Sequence, residues 1–139
     1  MNLQKLALAL CAALLPAGAA AQTLLPAPQT AGDVRYLSGG VGSDERRAMR
    51  DMAKDYNLRV TLVAGPRGAY LSGAALRIAR EDGSVVLETQ AEGPWFFPRL
   101  PDGRYRVSVT HDGSAQTRAI DLRQRPVEIL FRWEGPVEN

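Results

Sequence analysis

Residues that commonly carry out catalysis are sparse in this 139-residue chain. His111 is the single histidine, and the Asp112-Gly113 pair that follows it predicts a turn. A general base needs a nucleophile and an orienting partner that the fold brings beside it. The sequence around His111 offers no such combination, so we expect His111 to be an exposed turn residue.

Metal-ligand and nucleophile patterns also have simpler explanations. The aspartates of Asp82-Gly83, Asp102-Gly103 and Asp112-Gly113 carry oxygens of the kind that bind calcium, but turn chemistry explains each pair. No combination of histidine, cysteine and carboxylate residues has metal-ligand spacing. No serine occurs in a nucleophile-elbow motif. The sequence therefore predicts no catalytic residue, no metal site and no cofactor.

A glycine-rich run precedes a predicted helix, and its sequence is Tyr36-Leu37-Ser38-Gly39-Gly40-Val41-Gly42-Ser43. Glycine-rich loops at helix starts can bind phosphate. This run lacks the lysine of a P-loop and its strand–loop–helix setting. Asp44 and Glu45 also occupy the position that an anion would need. We therefore interpret the run as a tight turn before a helix that Ser43 caps.

The helix that follows is predicted from about Asp44 to Tyr56. Charged side chains occupy one side of it, and Asn57 is a suitable residue to end it. Its apolar stripe has the spacing i, i+3, i+4 and i+7, formed by Met49, Met52, Ala53 and Tyr56. This stripe should pack the helix against the β-region.

A period of two begins at Leu58 and predicts short strands separated by turns that contain glycine or proline. Pro98 should stop the fourth strand. Tyr105 in the fifth should bury its ring and hydrogen-bond the backbone of the turn before it. Seven strands describe an antiparallel sandwich, and they are predicted at 58–63, 75–80, 85–90, 95–97, 104–110, 116–122 and 127–133.

Aromatic side chains are the remaining candidates for a binding contact. Trp95, Phe96 and Phe97 are consecutive, so strand alternation sends Phe96 to the face opposite the other two. One face enters the core, and the other needs a cover, either the helix or a partner. We favour the helix, because monomers rarely leave large apolar patches bare. Tyr70 lies in a predicted loop, and the candidate partner contacts are Tyr70, Trp95 and Phe96.

The first 21 residues predict a secretory signal peptide. Lys5 is a short positive region, an apolar run covers 6–15, and Ala19 and Ala21 give the small-residue cleavage pattern. Cys11, the only cysteine, lies inside this segment. The apolar run is too short to span a bilayer. We expect a mature chain that begins at Gln22 and is periplasmic or secreted.

Charge and hydropathy exclude two further classes of partner. The chain has 17 basic and 15 acidic side chains, and its arginines are spread through the predicted strands. Nucleic-acid-binding domains concentrate their basic residues on one face, so we predict no nucleic-acid partner. No stretch after the signal approaches the ~20 apolar residues of a membrane span.

The run from Gly73 through Trp133 resembles the carboxypeptidase regulatory-like, or transthyretin-like, β-sandwich family. The residues that carry the resemblance are Gly73-Ala74-Ala75-Leu76-Arg77-Ile78, Asp82-Gly83 and Leu100-Pro101-Asp102-Gly103-Arg104-Tyr105-Arg106-Val107. The whole mature chain is similar to short exported proteobacterial proteins of this type. The resemblance implies an Ig-like two-sheet sandwich that serves as an appended structural or ligand-contacting module.

One branch of that group hydrolyses 5-hydroxyisourate with several histidines, an arginine and a Tyr-Arg-Gly-Ser ending. This chain has only His111 and ends Gly135-Pro136-Val137-Glu138-Asn139, so the resemblance does not extend to that activity.

The predicted organisation has five parts. These are a signal peptide (1–21), a flexible tether rich in proline and alanine (22–35), the glycine-rich turn and helix (36–57), the β-sandwich (58–134) and a tail (135–139). We expect a non-enzymatic binding or assembly module of the cell envelope whose partner is an envelope protein or a glycan. The alternatives are a small hydrolase that uses His111 in a polar pocket, and a purely structural role.

Overall fold

The computed structural model describes residues 26–135, and the predicted signal peptide lies outside that range. The described part of the chain is mainly β, with two sheets and one α-helix. The helix α1 spans Ser43–Met52, and a short 3-10 turn at Ala53–Asp55 continues it. The ten strands are β1 (Gln29–Ala31), β2 (Val34–Gly39), β3 (Leu58–Ala64), β4 (Ala69–Tyr70), β5 (Ala75–Arg80), β6 (Val85–Gln90), β7 (Trp95–Arg99), β8 (Arg104–His111), β9 (Ser114–Asp121) and β10 (Val127–Trp133).

The first sheet has the order β1-β2-β7-β3-β10, with β4 pairing on β3, and the second has the order β6-β5-β8-β9. One pair corrects the predicted antiparallel arrangement, because β10 runs parallel to β3 over its whole length. Period-two alternation specifies which side chains share a face and is silent on the direction of the neighbouring strand. The sequence therefore contained no signal for the direction of β10 relative to β3.

Three of the ten strands lie where the sequence predicts none. The predicted tether (22–35) and the glycine-rich turn contain β1 and β2, and β2 pairs with β7 from Arg35 opposite Arg99 to Gly39 opposite Trp95. Glycine and serine lower intrinsic strand propensity, and here the partner strand supplies the stabilisation. The third is β4, a two-residue strand that pairs with the end of β3.

The main core lies between the two sheets. Its first-sheet side contains Phe96, whose ring stacks on Tyr36 with 4.8 Å between the ring centroids. The second sheet contributes alternate residues of its central strands, including Leu76, Ile78 and Val107, all at most 1% exposed. This is the inward-facing alternation that the sequence predicts for these strands.

The helix α1 covers part of the outer face of the first sheet. Met49, Ala53 and Tyr56 are buried there against Leu37 and Phe97, and this confirms the predicted apolar stripe and its packing. The start of the helix differs from the prediction, since Gly42 is the N-cap and Ser43 is already helical. No side chain of the described residues caps the helix, and the Glu45 carboxylate in its first turn instead accepts a 2.7 Å hydrogen bond from the amide of Gly40, which precedes the N-cap.

Two predicted turns have the expected geometry. Tyr105 is 4% exposed and donates a 2.5 Å hydrogen bond from its hydroxyl to the carbonyl of Pro101, as predicted. Asp112 and Gly113 both have positive φ, 47° and 75°, which is the conformation that a two-residue hairpin turn requires. Among the described residues, no helix is long and apolar enough to cross a membrane.

Candidate functional site

The helix leaves the outer face of β3 and β10 uncovered, and a groove of about 570 Å³ runs between this face and the helix. We call it the helix groove. Arg50 and Ala53 form its helix-side wall. Its floor contains the cross-strand row Trp95–Thr61–Leu130 and the pair Arg59–Glu128, and Phe97 lies on the same face of β7 as Trp95.

The aromatic side of the groove is Trp95 and Phe97, whose rings stack at 5.8 Å with 21° between their planes. Both project outward from β7, because alternation buries Phe96 on the opposite face. The Arg50 guanidinium carbon lies 5.7 Å from the centroid of the Trp95 ring, within the range of a cation–π contact. This contact holds a positive charge at the mouth of the groove.

Arg59 is the polar centre of the floor. Its Nη1 donates a 2.7 Å hydrogen bond to Oε1 of Glu128, which lies opposite it on β10. Its Nε is buried and has no hydrogen-bond partner among the described residues. This atom has almost no accessible surface, whereas the Arg59 side chain as a whole is 34% exposed, so a ligand can meet only other parts of the side chain.

An exposed aromatic contact lies at the other end of the helix. Tyr70 in β4 is 52% exposed, and the Arg46 guanidinium carbon is 5.2 Å from its ring centroid. Arg46 Nη1 also donates hydrogen bonds to the carbonyls of Gly40 and Val41, at 2.9 and 3.0 Å. Arg46 and Glu45 therefore hold the glycine-rich run in place through hydrogen bonds. The Gly40 amide already donates to Glu45 and is not available to a phosphate.

The three predicted contact residues have different surroundings. Trp95 is partly buried in the helix groove, and Tyr70 is exposed beside Arg46. Phe96 is fully buried between the sheets, so its side chain is not accessible to a partner in this structure. Alternation separates Phe96 from Trp95 correctly but leaves open which of them faces the core. The groove residues Arg50, Arg59 and Leu130 were missed, since only the strand register brings them together.

His111 lies at the end of β8 and is less exposed than predicted. Its ring meets Trp133 edge-on at 5.7 Å, and its Nε2 is 3.3 Å from Oδ2 of the neighbouring Asp112. The Asp82 carboxylate accepts hydrogen bonds from the amide and hydroxyl of Ser84, which lower its pKa. Within residues 26–135 no three histidine, cysteine or acidic side chains are grouped closely enough to hold a metal ion.

A second cavity of about 610 Å³ lies at the turns around Asp82 and Asp102, beside the buried ring of Tyr105. Burial raises the pKa of the Tyr105 hydroxyl. At the same end of the molecule, hydrogen bonds from Arg123 lower the pKa of the exposed Asp121 to about 2. These groups hold the turns together through contacts within the chain, and the helix groove remains the better candidate site.

Comparison with known protein families and curated proteins does not identify a function for the helix groove. No family model matches the chain, and no curated protein matches it. The resemblance of residues 73–133 to the carboxypeptidase regulatory-like family stays a prediction from sequence motifs. The contacts and charges of the helix groove are therefore the basis for a functional proposal.

Proposed function

We propose that the chain is a non-enzymatic binding or assembly module of the cell envelope, and that it contacts an envelope protein or a glycan through the helix groove. One observation carries the proposal: a groove of about 570 Å³ combines the Arg50 guanidinium with the apolar surface of Leu130, which is 43% exposed. Binding sites commonly pair apolar surface with a few polar groups that fix orientation.

The fold type that we propose is a transthyretin-like, Ig-like sandwich of the carboxypeptidase regulatory-like kind. The Tyr105 hydroxyl bonded to the Pro101 carbonyl supports it, because a tyrosine hydrogen-bonded to the backbone a few residues upstream is typical of such sandwiches. Two sheets that enclose one main core are also consistent with it. In this fold a helix packed outside the first sheet provides a binding surface without altering the core.

The proposed location is the periplasm or the outside of the cell. Its support is the signal-peptide pattern of the first 21 residues, which places the only cysteine, Cys11, in the segment that would be removed. The hydrolase alternative has less support. A hydrolase needs a nucleophile within hydrogen-bonding reach of His111, whereas the contacts of its ring are Trp133 and the adjacent turn residue Asp112.

Photocrosslinking from two matched positions tests the proposal. Leu130 in the helix groove and Val85 on β6 of the second sheet are both apolar and both 43% exposed. A photoreactive phenylalanine analogue is placed at either position in the full-length chain, and the cells are irradiated. We expect a discrete adduct with one envelope protein or glycan from the Leu130 position and none from Val85.

Two results would contradict a binding role for the groove. One is the absence of any adduct from Leu130 in cells that contain the folded protein. The other is the same set of adducts from Leu130 and Val85, since random collision would then explain both.

A further inference from the structure

We propose that the occupant of the helix groove is an acidic peptide segment of a partner protein, in which carboxylates alternate with apolar side chains. This inference rests on the proposed binding function and specifies its partner. Three features of the groove carry it: the positive charge of Arg50, the exposed apolar side chain of Leu130, and a Trp95 ring that already contacts Phe97 and Arg50.

The positive charge in the groove exceeds the negative charge available to neutralise it. Arg50 takes part in none of the ion pairs formed within residues 26–135. Glu128 is the one carboxylate among the groove residues, and Arg59 already pairs with it through Nη1. The Arg59 side chain is 34% exposed, so part of it can meet a ligand, although its Nε is buried. A ligand with carboxylate oxygens complements both guanidinium groups.

The apolar part of the floor selects among anionic ligands. Leu130 is 43% exposed and is the main apolar surface of the groove, since Phe97 and Ala53 beside it are only 4% and 5% exposed. A polyanionic glycan offers charge but no apolar side chain to cover this surface. A peptide segment supplies both in alternation, since successive side chains of an extended peptide point to opposite sides.

The surroundings of Trp95 disfavour a neutral sugar. Sugar-binding tryptophans use an open ring face as a stacking platform, as aromatic platforms do for nucleic-acid bases. Phe97 stacks on the Trp95 ring and the Arg50 guanidinium lies over it, so these two side chains engage the ring. Trp95 therefore holds Arg50 in place, and the guanidinium is the group that meets the ligand.

Fluorescence anisotropy with a defined probe tests this inference. The probe is a short fluorescein-labelled peptide of alternating glutamate and leucine, and its neutral counterpart has glutamine at every glutamate position. We expect the folded protein to bind the glutamate peptide at least about tenfold more tightly, because its carboxylates form charge-assisted hydrogen bonds that the glutamine peptide cannot form. Added salt should weaken this binding.

Four variants of the protein locate the binding. Arg50→Gln should weaken it by about tenfold, and Arg59→Lys, which keeps the charge but loses the planar guanidinium, by about fivefold. Glu128→Gln should strengthen it by about threefold, because this change removes the competing carboxylate. A loss of folding cannot mimic that increase. Arg77→Gln, on the outer face of the second sheet, is the charge-matched control and should have no effect.

Three outcomes would overturn the inference. They are equal affinity for the two peptides, equal loss in Arg50→Gln and Arg77→Gln, and tighter binding to anionic phosphatidylglycerol vesicles than to the peptide, which would indicate a membrane surface. These failures are distinguishable from failure of the proposed function. If crosslinking from Leu130 still captures one discrete partner, the binding role stands and only the chemistry of its ligand is wrong.

Discussion

Asn57 joins three strands of the first sheet, and its replacement by alanine should destabilise the fold more than any single surface change. It is 8% exposed and lies directly before β3. Its Nδ2 donates a 2.6 Å hydrogen bond to the carbonyl of Leu100, and its Oδ1 accepts a 2.9 Å bond from the amide of the same residue. Its own carbonyl accepts a hydrogen bond from the Val127 amide at the start of β10.

The reason for this arrangement lies in Pro98. β3 and β7 pair only at Val60–Phe96 and Thr61–Trp95, and a proline cannot donate a ladder hydrogen bond beyond them. The Asn57 amide group then substitutes for the backbone of a paired strand at Leu100. Asn57→Ala leaves a buried donor and a buried acceptor unsatisfied, each at a cost of about 1–3 kcal/mol, so we expect the free energy of unfolding to fall by about 2–6 kcal/mol.

Urea unfolding followed by the fluorescence of Trp95 and Trp133 measures this change. Gln124→Ala, at an exposed position, is the control and should alter the free energy of unfolding by less than about 0.5 kcal/mol. A loss below about 1 kcal/mol for Asn57→Ala would refute the argument, since water would then satisfy the Leu100 backbone equally well.

Asn57→Asp separates the two hydrogen bonds. The carboxylate still accepts from the Leu100 amide but faces the Leu100 carbonyl with an oxygen instead of a donor, which raises the pKa of the new carboxyl in the folded state. Because the folded state then binds the proton more tightly than the unfolded state, the stability of this variant should rise as the pH falls from 7 toward 4. A variant whose deficit relative to the native chain is independent of pH would contradict the assigned contact.

Three further changes test other parts of the fold. Tyr105→Phe removes the hydrogen bond to the Pro101 carbonyl and should lower the free energy of unfolding by about 1–2 kcal/mol in the same urea assay; no change would contradict a structural role for the hydroxyl. Arg123→Ala should raise the pKa of Asp121 from about 2 toward its ordinary value in a carboxyl NMR titration, since the Arg123–Asp121 ion pair forms at neutral pH and is lost as the pH falls. An unchanged titration midpoint would show that Arg123 does not lower the Asp121 pKa. Gly93→Ala places a Cβ in steric conflict with the carbonyl oxygen of Gly39 and should destabilise the fold by about 1–3 kcal/mol. Gly42→Ala, with no atom within 4 Å of its Cβ, should cost less than about 1 kcal/mol; equal losses would contradict the close approach of β2 to the loop before β7.

Local patterns predicted the elements whose signals are local. The bounds of β5, β6 and β10 agree with the sequence, because alternating apolar residues between glycine- or proline-containing turns specify both the strand and its ends. The Tyr105 contact was also predictable, since donor and acceptor lie four residues apart. β2 was missed because its stability comes from pairing with β7, about sixty residues later in the chain, a contact that no window of sequence contains.

The candidate site shows the same limit more strongly. Trp95 and Tyr70 could be selected by residue type, but the combination of Arg50, Arg59 and Leu130 depends on two facts that are absent from local sequence. One is the parallel register that sets Leu130 opposite Thr61, and the other is the position of the helix on the sheet. The contact of Asn57 with Leu100 was also not predictable, since the local sequence indicates only that Asn57 ends the helix.

Leu130 is the residue that distinguishes a binding groove from ordinary solvent-exposed sheet. An α-helix with side chains is about 10 Å wide and strands are about 4.8 Å apart, so one helix covers about two strands and β3 and β10 must face outward beyond it. Arg59, Thr61, Glu128 and Arg132 are polar there, as solvent requires, and the outward-facing Val63 is only 4% exposed. Leu130 is apolar and 43% exposed, and it lines the same groove as Arg50, which forms no ion pair within residues 26–135. Exposure alone does not indicate a partner, because Val85 is equally exposed and single exposed apolar residues are common; the partner is inferred from the position of Leu130 in one groove with Arg50.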